Sequence, residues 1–150
     1  EIESRILIMD KKIDLTFKVL TDKSDYVLCD AKRIEQVFSN LIKNSMDFVP
    51  HDLGKIMVTV DRQEEGKSIN FSVYDNGPGI PAEEADNLFQ KFYQIDTSET
   101  RKHAGTGLGL VICKGIIEAH GGKIWIDKDY ATGACFVFTL PLAKGKEKGV

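Results

Sequence analysis

Apolar residues fall at every second position over Ile13, Leu15 and Phe17, which predicts a half-buried strand. Lys55 to Val60 and Ser68 to Tyr74 alternate in the same way around a polar turn at Glu65 and Gly66, so they read as a strand pair. Lys123 to Asp127 and Ala134 to Leu140 form a second, closing pair, and Tyr26 to Cys29 is a short strand candidate. After Asp30 the period becomes helical. Ile34, Val37, Phe38, Leu41 and Ile42 share one face, Asp30 has the chemistry of an N-cap, and Pro50 and Gly54 stop the helix near Phe48. Leu108 to His120 is the second long helix. Residues 82–92 open with acidic positions and continue with Leu88, Phe89 and Phe92, which predicts a short helix. Ile2, Ile6 and Met9 stand at roughly helical spacing and read as the end of a helix from an upstream segment. Residues 96–104 are polar without period and read as a mobile loop; the Lys- and Gly-rich tail 143–150 reads as disordered. No internal repeat is visible. Antiparallel pairs with interposed helices predict an α+β fold: one mixed, mainly antiparallel sheet covered on one face by helices.

A chain of 150 residues suits one domain with a real core. Its 42% apolar and 29% charged residues are those of a soluble globular protein. No apolar run approaches the roughly 20 residues that span a bilayer. The opening residue is Glu1 rather than Met, which reads as a piece of something longer. A net charge of -3 and a pI near 5.6 argue against a nucleic-acid surface. The cysteines Cys29, Cys113 and Cys135 lack metal-ligand spacing; Cys113 and Cys135 sit in apolar surroundings and read as core thiols of a reducing compartment.

Three segments carry chemistry. In NLIKN, Asn40 and Asn44 are four apart on a helix and share a face. Amide oxygens are hard neutral ligands that suit Mg2+ completing its shell with phosphates and water. Taken singly, either Asn reads more readily as a helix residue that bonds solvent or backbone. Lys43 lies near this face, as does Glu35, a candidate for polarising a metal-bound water. In DNGPGIP, Asp75 stands at the mouth of a glycine turn. Asp-Asn-Gly alone has hairpin chemistry, but Pro78, Gly79, Ile80 and Pro81 do not make a return strand. Gly77 and Gly79 let a flat ring approach, and a carboxylate there accepts from the exocyclic amine of adenine while repelling the guanine carbonyl. The alternative is a surface Asp in a tight turn. In GTGLGL, Gly105, Gly107 and Gly109 free backbone N–H groups to face phosphates at a helix start. The loop is neither a dinucleotide fingerprint nor a P-loop, since the third glycine and the Gly-Lys-Ser/Thr ending are missing. Arg101, Lys102 and His103 just ahead are cations for phosphates, or plain solvated loop. Phe89 and Phe92 read as core more than as a loop anchor.

In this order the segments resemble the catalytic and ATP-binding domain of sensor histidine kinases, in the GHKL ATPase superfamily. DAKRIEQVFSNLIKN is similar to the Asn-containing helix, VYDNGPGIP to the first glycine box, LFQKFYQ to the phenylalanine box, GTGLGL to the second glycine box, and IIEAHGGKIWI to the typical coda. The resemblance implies an α/β sandwich of the Bergerat type over residues 12–142, with residues 1–11 a remnant leading from a dimerisation domain. It implies ATP and Mg2+ as cofactors. Asn44 is then the metal ligand, Asn40 a phosphate or positioning contact, and Asp75 the adenine reader above Gly77 and Gly79, with Ile80 beside them. Gly105, Thr106, Gly107, Leu108 and Gly109 surround the phosphates, and residues 93–106 form a lid. Lys43, Arg101 and Glu35 are the candidates for a catalytic part. His51, His103 and His120 do not stand in a phosphoacceptor context, so the acceptor histidine is expected on a separate dimerisation domain. The further implied partner is a response regulator receiver domain; the isolated chain is expected to be monomeric and its parent a homodimer. The implied location is cytoplasmic, with membrane anchoring of the parent open. The pattern departs at Asp47, where Lys or Arg is frequent, at Gln94, where Arg is frequent, and at Ser45, in place of Ala. Two other readings stay open: a nucleotide-binding module without catalysis, and an ATP-hydrolysing clamp with Glu35 as its base.

Overall fold

The computed structural model describes residues 2–8, 12–23, 25–95 and 106–143. Six strands form one sheet: β1 (Ile2–Ile8), β2 (Ile13–Val19), β3 (Lys55–Arg62), β4 (Ser68–Asp75), β5 (Ile124–Ile126) and β6 (Cys135–Pro141), in the order β1-β2-β3-β4-β6-β5. Only β2 and β3 pair in parallel. A parallel pair needs a long crossover, and α1 (Ala31–Phe48) supplies it. The second helix, α2 (Gly109–Ala119), lies between β4 and β5 in the chain.

Cross-strand register puts Val58 opposite Val73, Val73 opposite Phe136, and Phe71 opposite Phe138, so these side chains share one face. That face packs on Ile34, Val37 and Leu41 of α1 and on Cys113 and Ile117 of α2 in a single core. Phe71 and Phe138 stack at 4.8 Å, and Phe38 of α1 meets Phe138 edge-on at 5.3 Å. The mixed sheet with helices on one face matches the pattern-based expectation.

Asp30 caps α1: its Oδ1 accepts from the Arg33 N–H at 3.2 Å. The Asp30 N–H in turn donates to Nε2 of His120 at 3.0 Å, and His120 Nδ1 lies 2.7 Å from the Ile116 carbonyl oxygen. Donating at Nδ1 and accepting at Nε2 requires the neutral ring. The start of α1 is thereby tied to the end of α2.

Local elements differ from expectation in three places. Residues 2–8 form a strand, not a helix end: their isoleucines also fit a period of two, and the free edge of β2 offers them a ladder from Ile2–Val19 to Ile8–Ile13. Around Tyr26 to Cys29 only one bridge forms, Val27 with Leu142. Residues 82–92 fold as successive turns with one 3-10 turn, Asn87–Phe89, because too few apolar positions follow Pro81 to give a helix a buried face. The tail expected to be disordered, from 144 onward, lies outside the described residues. No described helix is long and apolar enough to cross a membrane.

Ser45, 1% exposed on the core face of α1, has no hydrogen-bond partner for its hydroxyl. An orphaned buried hydroxyl costs about 1 to 3 kcal/mol. Ser45→Ala is therefore expected to raise stability by about 1 kcal/mol, read as a higher denaturant midpoint with unchanged slope. A lower midpoint would show that the hydroxyl is satisfied in solution.

Candidate functional site

The core face of α1 points at the sheet, and the neighbouring stripe faces an open cleft. Asn40, Lys43, Asn44 and Asp47 recur at helical spacing on that stripe, and together with Phe48 they line a cavity of about 1020 Å³. The expected pairing of Asn40 with Asn44 on one wall is therefore present. Asn40 Nδ2 donates to the Gly109 carbonyl at 3.4 Å and reaches Cys113 Sγ at 3.6 Å. This fastens the middle of α1 to the start of α2. Glu35 is exposed and is not among the cavity-lining residues, whereas Lys43, also exposed, is. The reason is helical phase: five residues separate Glu35 from Asn40, which turns it well off the stripe.

Where β4 leaves the sheet, Asp75 is 4% exposed. Its Oδ1 accepts from the Gly77 N–H at 2.9 Å and from the Ala134 N–H at 3.1 Å. The Asp75 N–H donates to the Ala134 carbonyl at 2.9 Å. Two backbone donors on one oxygen fix the carboxylate while leaving the lone pairs of Oδ2 for a ligand. Gly133 backs directly onto this residue: a Cβ there would lie 1.8 Å from the Asp75 carbonyl oxygen. Gly79, at φ +81, packs against the Gly133 carbonyl and lines the cavity with Ile80. Gly77 does not line it; its part is the N–H given to Asp75.

At the other end the cavity meets Thr106, Gly107, Gly109 and Leu110. No side chain caps α2, and the cap position is Leu108. The first N–H groups and the positive end of the helix therefore aim at the cleft. Leu108 itself is not a lining residue; its N–H donates to Thr106 Oγ1 at 3.4 Å. Gly107, at φ +67, accepts from the Phe92 N–H at 3.0 Å, and a Cβ on it would come within 2.8 Å of Phe92 Cα. Phe92 is not core, as its spacing suggested, but 72% exposed at φ +62; Phe89 alone packs on the core. The Phe92 backbone, in the left-handed region and bonded to Gly107, carries a side chain that stays in solvent. Gly105, Arg101, Lys102 and His103 lie outside the described residues, as does most of the segment expected to be a lid.

Sequence reasoning missed several walls. Tyr93 lines the cavity, and its hydroxyl donates to Glu84, whose carboxylate pushes the phenol pKa up. Tyr130, Ala131, Gly133, Ala134 and Phe136 close the sheet side, with Tyr130 set edge-on to Tyr74 at 5.2 Å. The signal available was the Gly133-Ala134 step ahead of β6, which gains meaning only once β6 pairs with β4. The two interior thiols behave as expected of core cysteines. Both Cys113 and Cys135 are 0% exposed; burial pushes Cys113 up, and burial with the nearby Asp127 charge pushes Cys135 up to about 12.

Phe48 carbonyl touches the Gly77 turn while Asn40 touches Gly109, so the two ends of the cavity are spaced along two turns of α1, about 12 Å. That is the reach of a nucleoside triphosphate: a buried carboxylate stands at one end and a helix N-terminus with amide side chains at the other.

Residues 29–144 match the family described as histidine kinase-, DNA gyrase B-, and HSP90-like ATPase. The chain is 40% identical over 128 residues to the sensor histidine kinase WalK of Bacillus subtilis, covering 85% of this chain and 21% of WalK. It thus spans about a fifth of that relative's length. The solved catalytic domain of histidine kinase ThkA superposes with a TM-score of 0.71 at 35% identity, over 86% of this chain and 80% of that one. ThkA has also been solved in complex with the response regulator protein TrrA, with a TM-score of 0.65 at 33% identity over 89% of this chain and 36% of that one. Full-length ShkA in complex with AMPPNP gives a TM-score of 0.74 at 29% identity, over 90% of this chain and 27% of that one. With its amide stripe, its buried aspartate and its uncapped helix start around one cavity, the chain belongs to this ATPase family as a catalytic domain of the histidine kinase type.

Proposed function

We propose that residues 12–142 bind ATP with Mg2+ and deliver the γ-phosphoryl group to a histidine on a separate dimerisation domain of the parent protein. The observation that carries this reading is the buried Asp75 carboxylate, held by two backbone N–H groups at one end of a cavity whose other end is the N-terminus of α2. The AMPPNP held by ShkA, an ATP analogue, is in keeping with it.

The donor set fits Mg2+. Among the described residues no group of three or more His, Cys, Asp or Glu side chains is arranged to cage a metal. Mg2+ does not need one, because it keeps water and takes phosphate oxygens. Asn44 offers its amide oxygen; Asn40, with Nδ2 committed to Gly109, offers Oδ1 to the same space. Held there by Asn44 and Asn40, the ion would offset the charge that develops during transfer. The chain's own part is to orient. Asp75 fixes the base, the α2 N–H groups and Lys43 meet phosphate charge, and the apolar walls exclude water. Glu35, off the cavity, counts against an ATP-hydrolysing clamp.

Transfer on to a response regulator receiver domain follows the ThkA–TrrA precedent. The same reading makes the chain a monomeric cytoplasmic domain of a homodimeric parent. With γ-labelled ATP, the chain alone is expected to take up no stable label. Adding the parent's histidine-bearing domain is expected to place acid-labile, base-stable label on that domain. Stable label on the chain itself would sink the assignment of roles, and ATP binding without any transfer would favour a module that signals by binding alone.

A further inference from the structure

β4 stops pairing at Asp75, opposite Ile56, yet the next rung of the ladder is not lost. The Asn76 side chain takes it over. Its Oδ1 accepts from the Lys55 N–H at 2.7 Å, and its Nδ2 donates to the Leu53 carbonyl at 2.8 Å. The Asn76 backbone N–H still donates to the Lys55 carbonyl at 3.2 Å. A carboxamide has the same donor and acceptor as a peptide group, so Asn76 can hold the entry of β3 as a strand residue would. Because the side chain does this, the main chain beyond it is free to turn away from the sheet. That turn brings the Gly77 N–H back onto Asp75 Oδ1 at 2.9 Å.

We propose that Asn76 is a positioning residue for base selection: its amide clamps the Leu53–Lys55 backbone and thereby fixes the Gly77 donor that aims the Asp75 carboxylate. The inference rests on Asp75 being the group that reads the base. The Asp-Asn-Gly run, which in sequence looks like hairpin chemistry, is in this structure a strand terminator. Alanine at position 76 removes both side-chain bonds and leaves the Gly77 peptide unanchored on one side. Aspartate keeps the acceptor toward the Lys55 N–H but sets a carboxylate oxygen against the Leu53 carbonyl, so it retains half of the clamp.

The test is equilibrium binding of MgATP and MgGTP to the chain, with Asn76→Ala, Asn76→Asp and Asp75→Asn measured in parallel and melting followed for each. Asn76→Ala is expected to weaken ATP about tenfold with GTP little changed, so that the ATP-over-GTP preference narrows; Asn76→Asp is expected to fall between it and the parent. A purely structural side chain would weaken both nucleotides alike and leave the ratio intact. If Asp75→Asn loses ATP while both Asn76 variants keep the parental ratio, the clamp is overturned and the base reading stands. If Asp75→Asn binds both nucleotides as the parent does, the base reading falls and takes the clamp with it. Should Asn76→Ala fail to fold, the ratio measured for Asn76→Asp decides.

Discussion

Gly133→Ala is expected to cost at least about 4 kcal/mol and to abolish nucleotide binding. The added Cβ would sit 1.8 Å from the Asp75 carbonyl oxygen and 2.7 Å from its carbon, with Asn76 Cα at 3.0 Å. None of these is a flexible side-chain end that can swing aside. Gly133 also has φ +154, a conformation costly to an L side chain. Relief requires β6 to part from β4 at the point where the Ala134 N–H and carbonyl hold Asp75. Gly115→Ala is the internal control. Nothing lies within 4 Å of a Cβ at Gly115, which is inside α2, so the same substitution there is expected to stabilise by up to about 1 kcal/mol. Thermal or denaturant melts of the two variants check the pair. A Gly133→Ala protein that melts with the parent and still binds ATP would mean that the strands are farther apart in solution.

Asp75→Asn is expected to weaken ATP roughly a hundredfold, about 2.7 kcal/mol, while leaving the fold nearly intact. The amide oxygen can keep the two bonds from Gly77 and Ala134. What changes is the second position, where an NH2 replaces an oxygen and faces the exocyclic amine of adenine, donor against donor. A buried unmet donor on each side costs more than the lost bond alone. Guanine presents an acceptor at that point, so GTP is expected to gain relative to ATP. Calorimetric titration with both nucleotides reads the outcome; equal weakening of the two would show that Asp75 acts on the fold and not on the base.

What could be read from the residues was local. A helical period fixes which face of α1 carries Asn40 and Asn44, and a proline- and glycine-rich sequel to Asp75 rules out a return strand. Neither depends on distant parts of the chain. The partners of Asp75 do. Its second backbone donor, Ala134, lies 59 residues away and becomes a neighbour only through β4–β6 pairing. Tyr130 reaches the cavity by the same route. Phe92 was misread because spacing reports a shared face only while the backbone stays regular, and Phe92 sits in a turn at φ +62. Residues 2–8 were misread because Ile2 and Ile6 satisfy both periods, and only the free edge of β2 decides between them.

The sheet order has a consequence for how the protein is made. The last strand to be synthesised, β6, is not an edge but lies between β4 and β5. As the chain emerges from the ribosome, five of the described strands and both helices are available before the piece that joins β4 to β5. Until Cys135–Pro141 has been inserted, β4 presents an open edge and the aspartate at its end lacks a donor. The Asp75 end of the cavity therefore has no sheet-side wall until Ala134 and Phe136 are in place. A nascent chain cut short of that point lacks the second donor on Asp75 and, on the proposed reading, the means to hold the base.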